Sequence, residues 1–163
     1  MRCFLFAAFW VVSTFNVAFA DEHKKRVYAD ICGDLFHLGH IEFFKQARTL
    51  GDCLVIGVLS DETVTSYKRT PILTMEERVA VIEACKYVDE VIVNPPLRVT
   101  KEWLEEHKID LVVHGDDFSE ELILDQYKVP HELGILRIVR YTEGISTTDI
   151  IKRIKSRIFK GEL

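Results

Sequence analysis

Residues 26–50, RVYADICGDLFHLGHIEFFKQARTL, decide the fold. The stretch opens on a β-branched and aromatic run at residues 27–31, which is typical of a strand. It turns at residues 32–34 and enters a helix through His37-Leu38-Gly39-His40. At the start of a helix the backbone N–H groups are unpaired and the helix dipole favours an anion. The stretch therefore predicts a strand, a tight turn and a helix whose first turn accommodates a polyphosphate.

Two histidines mark the entrance of this helix. His37 and His40 are three residues apart, so their side chains lie on one side of the first turn. Gly39 between them has no Cβ, which lets a phosphate or a ribose approach the backbone closely. The alternative interpretation is that the histidines only cap the helix.

Strand and helix patterns alternate along the rest of the chain. Further strands are predicted at residues 53–59, 88–93, 110–114 and 135–141, and helices at 74–87, 100–108, 120–127 and 150–159. Val129-Pro130-His131 is expected to break the helix before it. The alternation predicts an α/β fold, a Rossmann-like doubly wound parallel sheet of about five strands in a single domain at residues 26–159.

Polar segments follow the predicted strands at the end where such sheets bind ligands. The loop at residues 60–74 carries Lys68, a candidate phosphate clamp whose alternative is a solvated loop lysine. Ser146-Thr147-Thr148-Asp149 opens the last helix, so hydroxyls and free N–H groups gather at a second helix start. An ordinary Ser/Thr cap is the alternative there. Two such starts in one sheet predict a nucleoside triphosphate held from both sides.

Composition limits the classes of function. The chain has 163 residues, 48% of them hydrophobic, enough for one good core. Its 26 acidic residues exceed its 21 basic ones, and no basic run carries interleaved aromatic residues. Nucleic acid is therefore not expected as a partner.

The two ends of the chain predict a cellular location. Residues 1–20 combine Arg2, an apolar run and Ala18-Phe19-Ala20, a pattern typical of a cleaved signal peptide. An uncleaved membrane anchor is the alternative, since about 18 apolar residues approach the length of a membrane span. Residues 160–163, Lys-Gly-Glu-Leu, differ at one position from the Lys-Asp-Glu-Leu retrieval signal. We expect the endoplasmic reticulum lumen, or, with an anchor, its membrane with the domain facing the cytosol.

Three cysteines remain if the signal is removed. Cys53 and Cys85 lie in apolar patterns and are expected to be buried, whereas Cys32 lies in the phosphate turn. Their spacing fits neither a zinc site nor a C-x-x-C redox motif.

His37-Leu38-Gly39-His40, between a strand and a helix, resembles the signature of the cytidylyltransferase branch of the HxGH nucleotidyltransferases. More strings fall in that family's order: Ile56-Gly57-Val58, Glu76-Glu77-Arg78, Tyr87-Val88-Asp89-Glu90-Val91, His114-Gly115-Asp116-Asp117 and Thr142-Glu143-Gly144-Ile145-Ser146-Thr147-Thr148. The likeness covers about residues 26–154. It implies an enzyme of phospholipid biosynthesis that joins CTP to a phosphorylated small alcohol and releases pyrophosphate.

The resemblance also implies roles for residues. His37, His40 and Lys68 would be catalytic, and Asp34, Lys68 and Arg78 would bind the acceptor. The nucleotide-binding residues would be Ile31, Cys32, Gly33, Gly39, His114, Gly115, Asp116, Asp117, Thr142, Gly144, Ile145, Ser146 and Thr147. Mg²⁺ would come with CTP, without a dedicated set of protein ligands and so with no separate protein metal site. A homodimer is expected, with the membrane involved only through an uncleaved N-terminal segment.

Three positions depart from the family pattern. Ile31-Cys32-Gly33-Asp34 replaces a Gly-x-Phe-Asp string, and Tyr141 stands where an arginine is usual. Leu97 stands where choline-specific relatives have tryptophan, so one wall of a cation–π cage is missing and phosphoethanolamine is the expected acceptor. The alternatives are phosphocholine or glycerol 3-phosphate as acceptor, adenylyl transfer within the same superfamily, and a nucleotide-binding protein without turnover.

Overall fold

A computed structural model describes residues 23–116, 119–140 and 142–163. Asp117, Tyr141 and the predicted N-terminal signal or anchor lie outside these residues, so the expectations for them stay predictions. Within the described part, no helix is both long and apolar enough to cross a membrane.

Five parallel strands form one sheet in the order β3-β2-β1-β4-β5. The strands are β1 Arg26–Ile31, β2 Cys53–Val58, β3 Glu90–Val93, β4 Leu111–Gly115 and β5 Leu136–Val139. This confirms the predicted doubly wound α/β fold. The helices are α1 Leu38–Arg48, α2 Asp61–Thr65, α3 Met75–Glu83, α4 Lys101–Glu106, α5 Glu120–Gln126, α6 Lys128–Glu132 and α7 Thr147–Phe159.

The central strand β1 is buried on both faces, because helices cover the sheet on each side. Val27 and Ala29 pack with Phe44 of α1 in one core cluster. Tyr28 points to the opposite face and packs with Leu104 of α4 in a second cluster. Burying one such apolar side chain stabilises the fold by about 1.5–3 kcal/mol.

The strand order reverses beside β1, which pairs with β2 on one side and with β4 on the other. Helices on opposite faces of the sheet diverge at such a switch point and leave a crevice outside the carboxyl ends of the strands. Ile31 and Gly115 end the two strands there. The segments that follow β1 and β4 therefore border the same crevice.

Several elements differ from the sequence-based expectation. Residues 61–65 form the short helix α2 instead of a loop, capped by the Ser60 hydroxyl. Val129-Pro130-His131 lies inside α6, because Pro130 occupies the first turn, where its missing N–H has no helical partner in any case. The last helix starts at Thr147 rather than at residue 150. Cys53 and Cys85 are half-buried rather than buried.

Candidate active site

A cavity of about 540 Å³ opens at the carboxyl ends of β1 and β4. Thirteen of the residues predicted for the site line it: Ile31, Cys32, Gly33, Asp34, His37, Gly39, His40, Lys68, His114, Gly115, Thr142, Ser146 and Thr147. The structure thus brings both helix starts, the loop lysine and the end of β4 to one crevice.

Among the residues that the structure describes, four predicted site residues do not line this cavity. Gly144 and Ile145 lie in the turn before α7, next to its lining residues. Asp116 instead borders a separate groove beside β5. Arg78, which was expected to bind the acceptor, is fully buried and does not line the cavity.

The two histidines form a closed hydrogen-bonded cap at the start of α1. The Gly39 N–H donates to His37 Nδ1 over 3.1 Å, and the His37 N–H donates to His40 Nδ1 over 3.2 Å. The rings stack with centroids 4.0 Å apart. Because each Nδ1 accepts a hydrogen bond, each neutral ring carries its proton on Nε2. The cap therefore leaves one N–H donor per ring for a ligand.

Burial keeps both rings uncharged near neutral pH. It lowers the pKa of His37, and it lowers the pKa of His40 to about 3 together with the neighbouring His37 ring. The histidines therefore act as neutral donors aimed at an anion, not as cations. The capping alternative and the ligand-binding interpretation are compatible here, since Nδ1 caps the helix and Nε2 stays for a ligand.

Gly39 is required by the histidine cap itself. A Cβ at this position would lie 2.9 Å from His37 Cε1 and 3.4 Å from the carbonyl oxygen of Ile145. Such a Cβ would push the His37 ring out of place. The sequence-based explanation, close approach of a ligand to the backbone, missed this contact.

The turn between β1 and α1 depends on a buried arginine. Gly33 has φ of +72°, a conformation that glycine adopts without strain. Arg78 of α3 is fully buried, and its Nη1 donates to the carbonyl oxygens of Cys32 and Leu59. Its Nη2 donates to Asp61 at the start of α2. Arg78 thus ties the turn to the end of β2, and because it is fully buried outside the cavity lining it is not placed to bind the acceptor.

The second helix start uses its hydroxyls internally. Ser146 Oγ donates to Asp149 Oδ2 over 2.6 Å, and Thr147 Oγ1 donates to the carbonyl oxygen of Asp34 over 2.8 Å. Both hydroxyl protons are therefore engaged within the protein. Ser146 and Thr147 therefore offer an anion their backbone N–H groups rather than their hydroxyl protons.

A buried carboxylate lies at the end of β1 on the floor of the cavity. Asp30 Oδ1 accepts a hydrogen bond of 2.7 Å from the Tyr127 hydroxyl. Burial raises the pKa of Asp30, although the Tyr127 hydrogen bond opposes this effect. His114 donates from Nδ1 to the Gly115 carbonyl oxygen over 2.7 Å, and its ring lies 5.0 Å from that of Tyr127. Asp30 can therefore pair with a cation, whose charge would favour the ionised carboxylate against the effect of burial.

Comparison with known proteins gives the family. The sequence model described as cytidylyltransferase-like matches residues 32–153 of this chain. That range holds both helix starts, Lys68 and the end of β4. The chain belongs to the cytidylyltransferase-like family.

Curated relatives and one solved structure agree with the cytidylyltransferase-like assignment. Ethanolamine-phosphate cytidylyltransferase of Dictyostelium discoideum is 47% identical over 137 residues, which cover 81% of this chain and 38% of that protein. Choline-phosphate cytidylyltransferase A of Rattus norvegicus is 43% identical over 136 residues, covering 82% of this chain and 37% of that protein. The chain thus spans less than two fifths of the length of these two relatives.

The solved structure is a lipopolysaccharide core biosynthesis protein from Thermoplasma volcanium GSS1. It is 31% identical to this chain, superposes with a TM-score of 0.61, and covers 76% of this chain and 100% of its own length. The part of this chain that superposes is therefore matched by the whole of that protein.

Nine residues that line the cavity of this cytidylyltransferase-like domain were not predicted from the sequence. They are Asp30, Tyr67, Arg69, Gln126 and Tyr127, besides the apolar Phe43, Leu59 and Val64 and the neighbouring Thr148. A signal for Asp30 was present, because a carboxylate inside an apolar strand pattern requires a buried partner. Nothing local in the sequence pointed to Tyr127, which follows Asp30 by 97 residues.

Proposed function

We propose that this chain transfers the cytidylyl group of CTP to phosphoethanolamine, giving CDP-ethanolamine and pyrophosphate. The observation that carries the proposal is the cap at the start of α1, where His37 and His40 each keep an Nε2–H beside the cavity. A phosphate oxygen of the acceptor attacks the α-phosphorus. A new P–O bond forms and the bond to the bridging oxygen of pyrophosphate breaks. The acceptor is already an anion, so no general base is needed.

The chain's residues contribute position and charge rather than covalent chemistry. His37 and His40 donate to α-phosphate oxygens, whose negative charge grows in the transition state. Lys68, which lines the cavity, lowers the repulsion between the phosphates of CTP and of the acceptor. The backbone N–H groups that open α7 hold the β- and γ-phosphates.

Mg²⁺ is proposed to come with the triphosphate. The described residues contain no cluster of three or more His, Cys, Asp or Glu side chains able to hold a metal ion. Asp30 and Asp34, two carboxylates that line the cavity, already accept hydrogen bonds from Tyr127 and Arg69. The ion would neutralise charge on the leaving pyrophosphate.

Asp30 supports an acceptor with a primary ammonium group. An ammonium with N–H groups can donate to the Asp30 carboxylate, whereas a quaternary ammonium has no proton to donate. Leu97 does not line the cavity, and the aromatic residues that do are Phe43, Tyr67 and Tyr127. The lack of a tryptophan wall at Leu97 should weaken the binding of choline, which depends on aromatic rings, more than the binding of an ammonium held by hydrogen bonds.

One assay tests the proposal: pyrophosphate release with phosphoethanolamine, phosphocholine or glycerol 3-phosphate, each with CTP and with ATP. We expect CTP with phosphoethanolamine to give a kcat/KM at least several-fold above the other pairs. Relatives named for ethanolamine and for choline are 47% and 43% identical, so identity alone does not separate these acceptors. Equal use of phosphoethanolamine and phosphocholine would refute the choice of phosphoethanolamine but not cytidylyl transfer itself. Preference for ATP would favour adenylyl transfer, and CTP binding without release of pyrophosphate would favour a binding protein.

Assembly and location are proposed separately. The homodimer is supported by the edge strand β3, where Val93 leaves an exposed apolar side chain. Sedimentation velocity tests this, and a monomer at micromolar concentration would contradict it.

Endoplasmic reticulum residence is tested by protease treatment of intact microsomes. Protection that is lost on adding detergent would support the lumen, and digestion without detergent the cytosolic face.

A further inference from the structure

A buried carboxylate clasps the loop that carries Lys68. Asp34 is 3% exposed, and its Oδ1 accepts from the backbone N–H groups of Ile72 and Leu73, each over 3.0 Å. Its Oδ2 accepts from Arg69 Nη2 over 2.7 Å. We call Asp34, Arg69, Ile72 and Leu73 the Asp34 clasp. Asp34 was predicted to bind the acceptor, but both of its carboxylate oxygens are used by the protein's own loop.

The clasp is charge-assisted and partly shielded from water. Burial by itself would raise the pKa of Asp34, but the hydrogen bonds from Leu73, Arg69 and Ile72 outweigh it and hold the pKa below its usual range. Hydrogen bonds to an ionised carboxylate are stronger than neutral ones. The Arg69 side chain remains 44% exposed, so its bond to Asp34 can open without unfolding the core.

The clasp joins three parts of the cavity wall. Asp34 lies in the turn before His37, and its carbonyl oxygen accepts from Thr147 at the start of α7. Arg69 follows Lys68 directly, and both side chains line the cavity. On its other side, the Lys68 N–H donates to the Val64 carbonyl oxygen of α2 over 2.8 Å. The backbone of Lys68 is thus fixed on one side by α2 and on the other by the Asp34 clasp.

We propose that Arg69 is a positioning residue that holds Lys68 over the cavity through its bond to Asp34. The role of Lys68 toward phosphates rests on the proposed function, whereas the mechanical role of Arg69 does not. Without Arg69, Asp34 Oδ2 loses a charged partner and the loop is held to the turn by two backbone hydrogen bonds. Lys68 then samples positions away from the phosphates.

The first test does not depend on turnover. Hydrogen exchange of the Ile72 and Leu73 amides is measured by NMR in wild type, Arg69→Ala and Arg69→Lys. Arg98→Ala is the matched control, because Arg98 makes a similar bond of 2.8 Å to Asp125 away from the cavity. We expect exchange about 10-fold faster in Arg69→Ala, as for loss of one hydrogen bond to a charged group. Arg69→Lys should restore part of the protection, and Arg98→Ala should change nothing. Unchanged exchange in Arg69→Ala would overturn the proposal.

The second test is a double-mutant cycle with Lys68→Ala. Arg69→Ala alone should raise KM for CTP and for phosphoethanolamine about 10-fold, with thermal stability close to that of Arg98→Ala. In a Lys68→Ala background the same change should add little, because a residue that acts through Lys68 has nothing left to position. Additive effects would mean that Arg69 contacts a phosphate itself, which contradicts the proposal. A wild type without pyrophosphate release would refute the proposed function, while the exchange experiment would still judge the clasp.

Discussion

The cavity lies between two helix starts that are capped by different chemistry. At α1 the capping groups are the imidazole rings of His37 and His40, and the first turn holds no acidic residue. At α7 the cap is the Ser146 hydroxyl, and Asp149 adds a carboxylate to the first turn. The helices also differ in anchoring, since α1 buries Phe44 and Ala47 whereas α7 has no fully buried residue.

This difference separates the ability to bind an anion from the ability to act on one. Both helix starts present backbone N–H groups, which are enough to attract a phosphate. The α1 start adds two fixed side-chain donors on a rigid helix. At the α7 start the hydroxyl protons of Ser146 and Thr147 are already donated, to the Asp149 carboxylate and to the Asp34 carbonyl oxygen. We therefore expect changes at α1 to affect the chemical step and changes at α7 to affect binding.

The largest effect is expected from removing a histidine. His37→Ala and His40→Ala should each lower kcat about 10²–10³-fold, because the lost donor interacts most strongly with charge that develops in the transition state. Ser146→Ala should lower the free energy of unfolding by about 1 kcal/mol, the usual effect of losing an N-cap, with a kcat loss below about 10-fold. Steady-state pyrophosphate release and urea denaturation measure both. Similar kcat losses at the two sites would remove the distinction between them.

Two glycines sharpen the same comparison. Gly39→Ala should lower kcat about 10- to 100-fold, because its Cβ displaces the His37 ring from the phosphate. Gly144 has φ of +91° and open space around it, so Gly144→Ala should act through backbone strain. We expect Gly144→Ala to lower the free energy of unfolding by about 1 kcal/mol and to change kcat less than Gly39→Ala does. An unchanged kcat in Gly39→Ala would show that the His37 ring relocates without consequence.

Sequence reasoning found the sheet and the α1 cap because their signals are local. The strand, the turn and the helix that carry His37 and His40 are formed by consecutive residues. The stacking of these two rings completes the cap. The function of Arg78 could not be read in this way. Its partners, Cys32 and Leu59, come from separate strand ends that only the tertiary fold brings together. Helical periodicity indicates a direction for a side chain but not the group that it meets.

The Asp30–Tyr127 pair in the cavity is a second contact that the sequence alone does not reveal. An acidic residue in a strand signals a requirement for a partner, but 97 residues separate it from the tyrosine. Pro130 shows the opposite error. It was expected to break a helix, but it lies in the first turn of a new helix, α6. A proline breaks a helix interior yet is compatible with a first turn, so the boundary at Tyr127 decided the outcome.

A pH experiment tests whether the α1 cap is neutral. The pKa of His40 lies at about 3 in the folded protein against an ordinary value of 6.5. Between these values the unfolded chain binds a proton that the folded protein does not, so the free energy of unfolding falls as pH decreases below 6.5. Above 6.5 both states are neutral and the contribution is constant. We expect the urea midpoint to drop from pH 7.5 to pH 5, and His40→Gln to reduce that drop. Ser146→Ala should leave the drop unchanged, and equal drops in wild type and His40→Gln would contradict a neutral cap.

The smallest effect is expected at Asp149. Asp149→Asn removes a negative charge from the first turn of α7, so KM for CTP should fall about two- to threefold at low salt. The gain should shrink at 0.5 M salt, where the Debye length is only about 4–5 Å. Asp125→Asn, which changes an acidic residue away from the cavity, is the control. A higher KM in Asp149→Asn would mean that the carboxylate orders the α7 start more than it repels the nucleotide.

The position of β1 at the centre of a parallel sheet has a consequence for the order of folding. Val27 pairs with Leu111, which lies 84 residues later in the chain. This pairing has to form before the two walls of the cavity can face each other. Contacts between such distant segments form slowly, because a long loop has to close first. The β1–β2 pairing, which joins Arg26 to Cys53, closes a much shorter loop and should form earlier. A refolding intermediate with β1, α1 and β2 in place would then carry the histidine cap without the β4 wall. Nucleotide added during refolding should accordingly stabilise the final state while leaving the rate of the early phase unchanged.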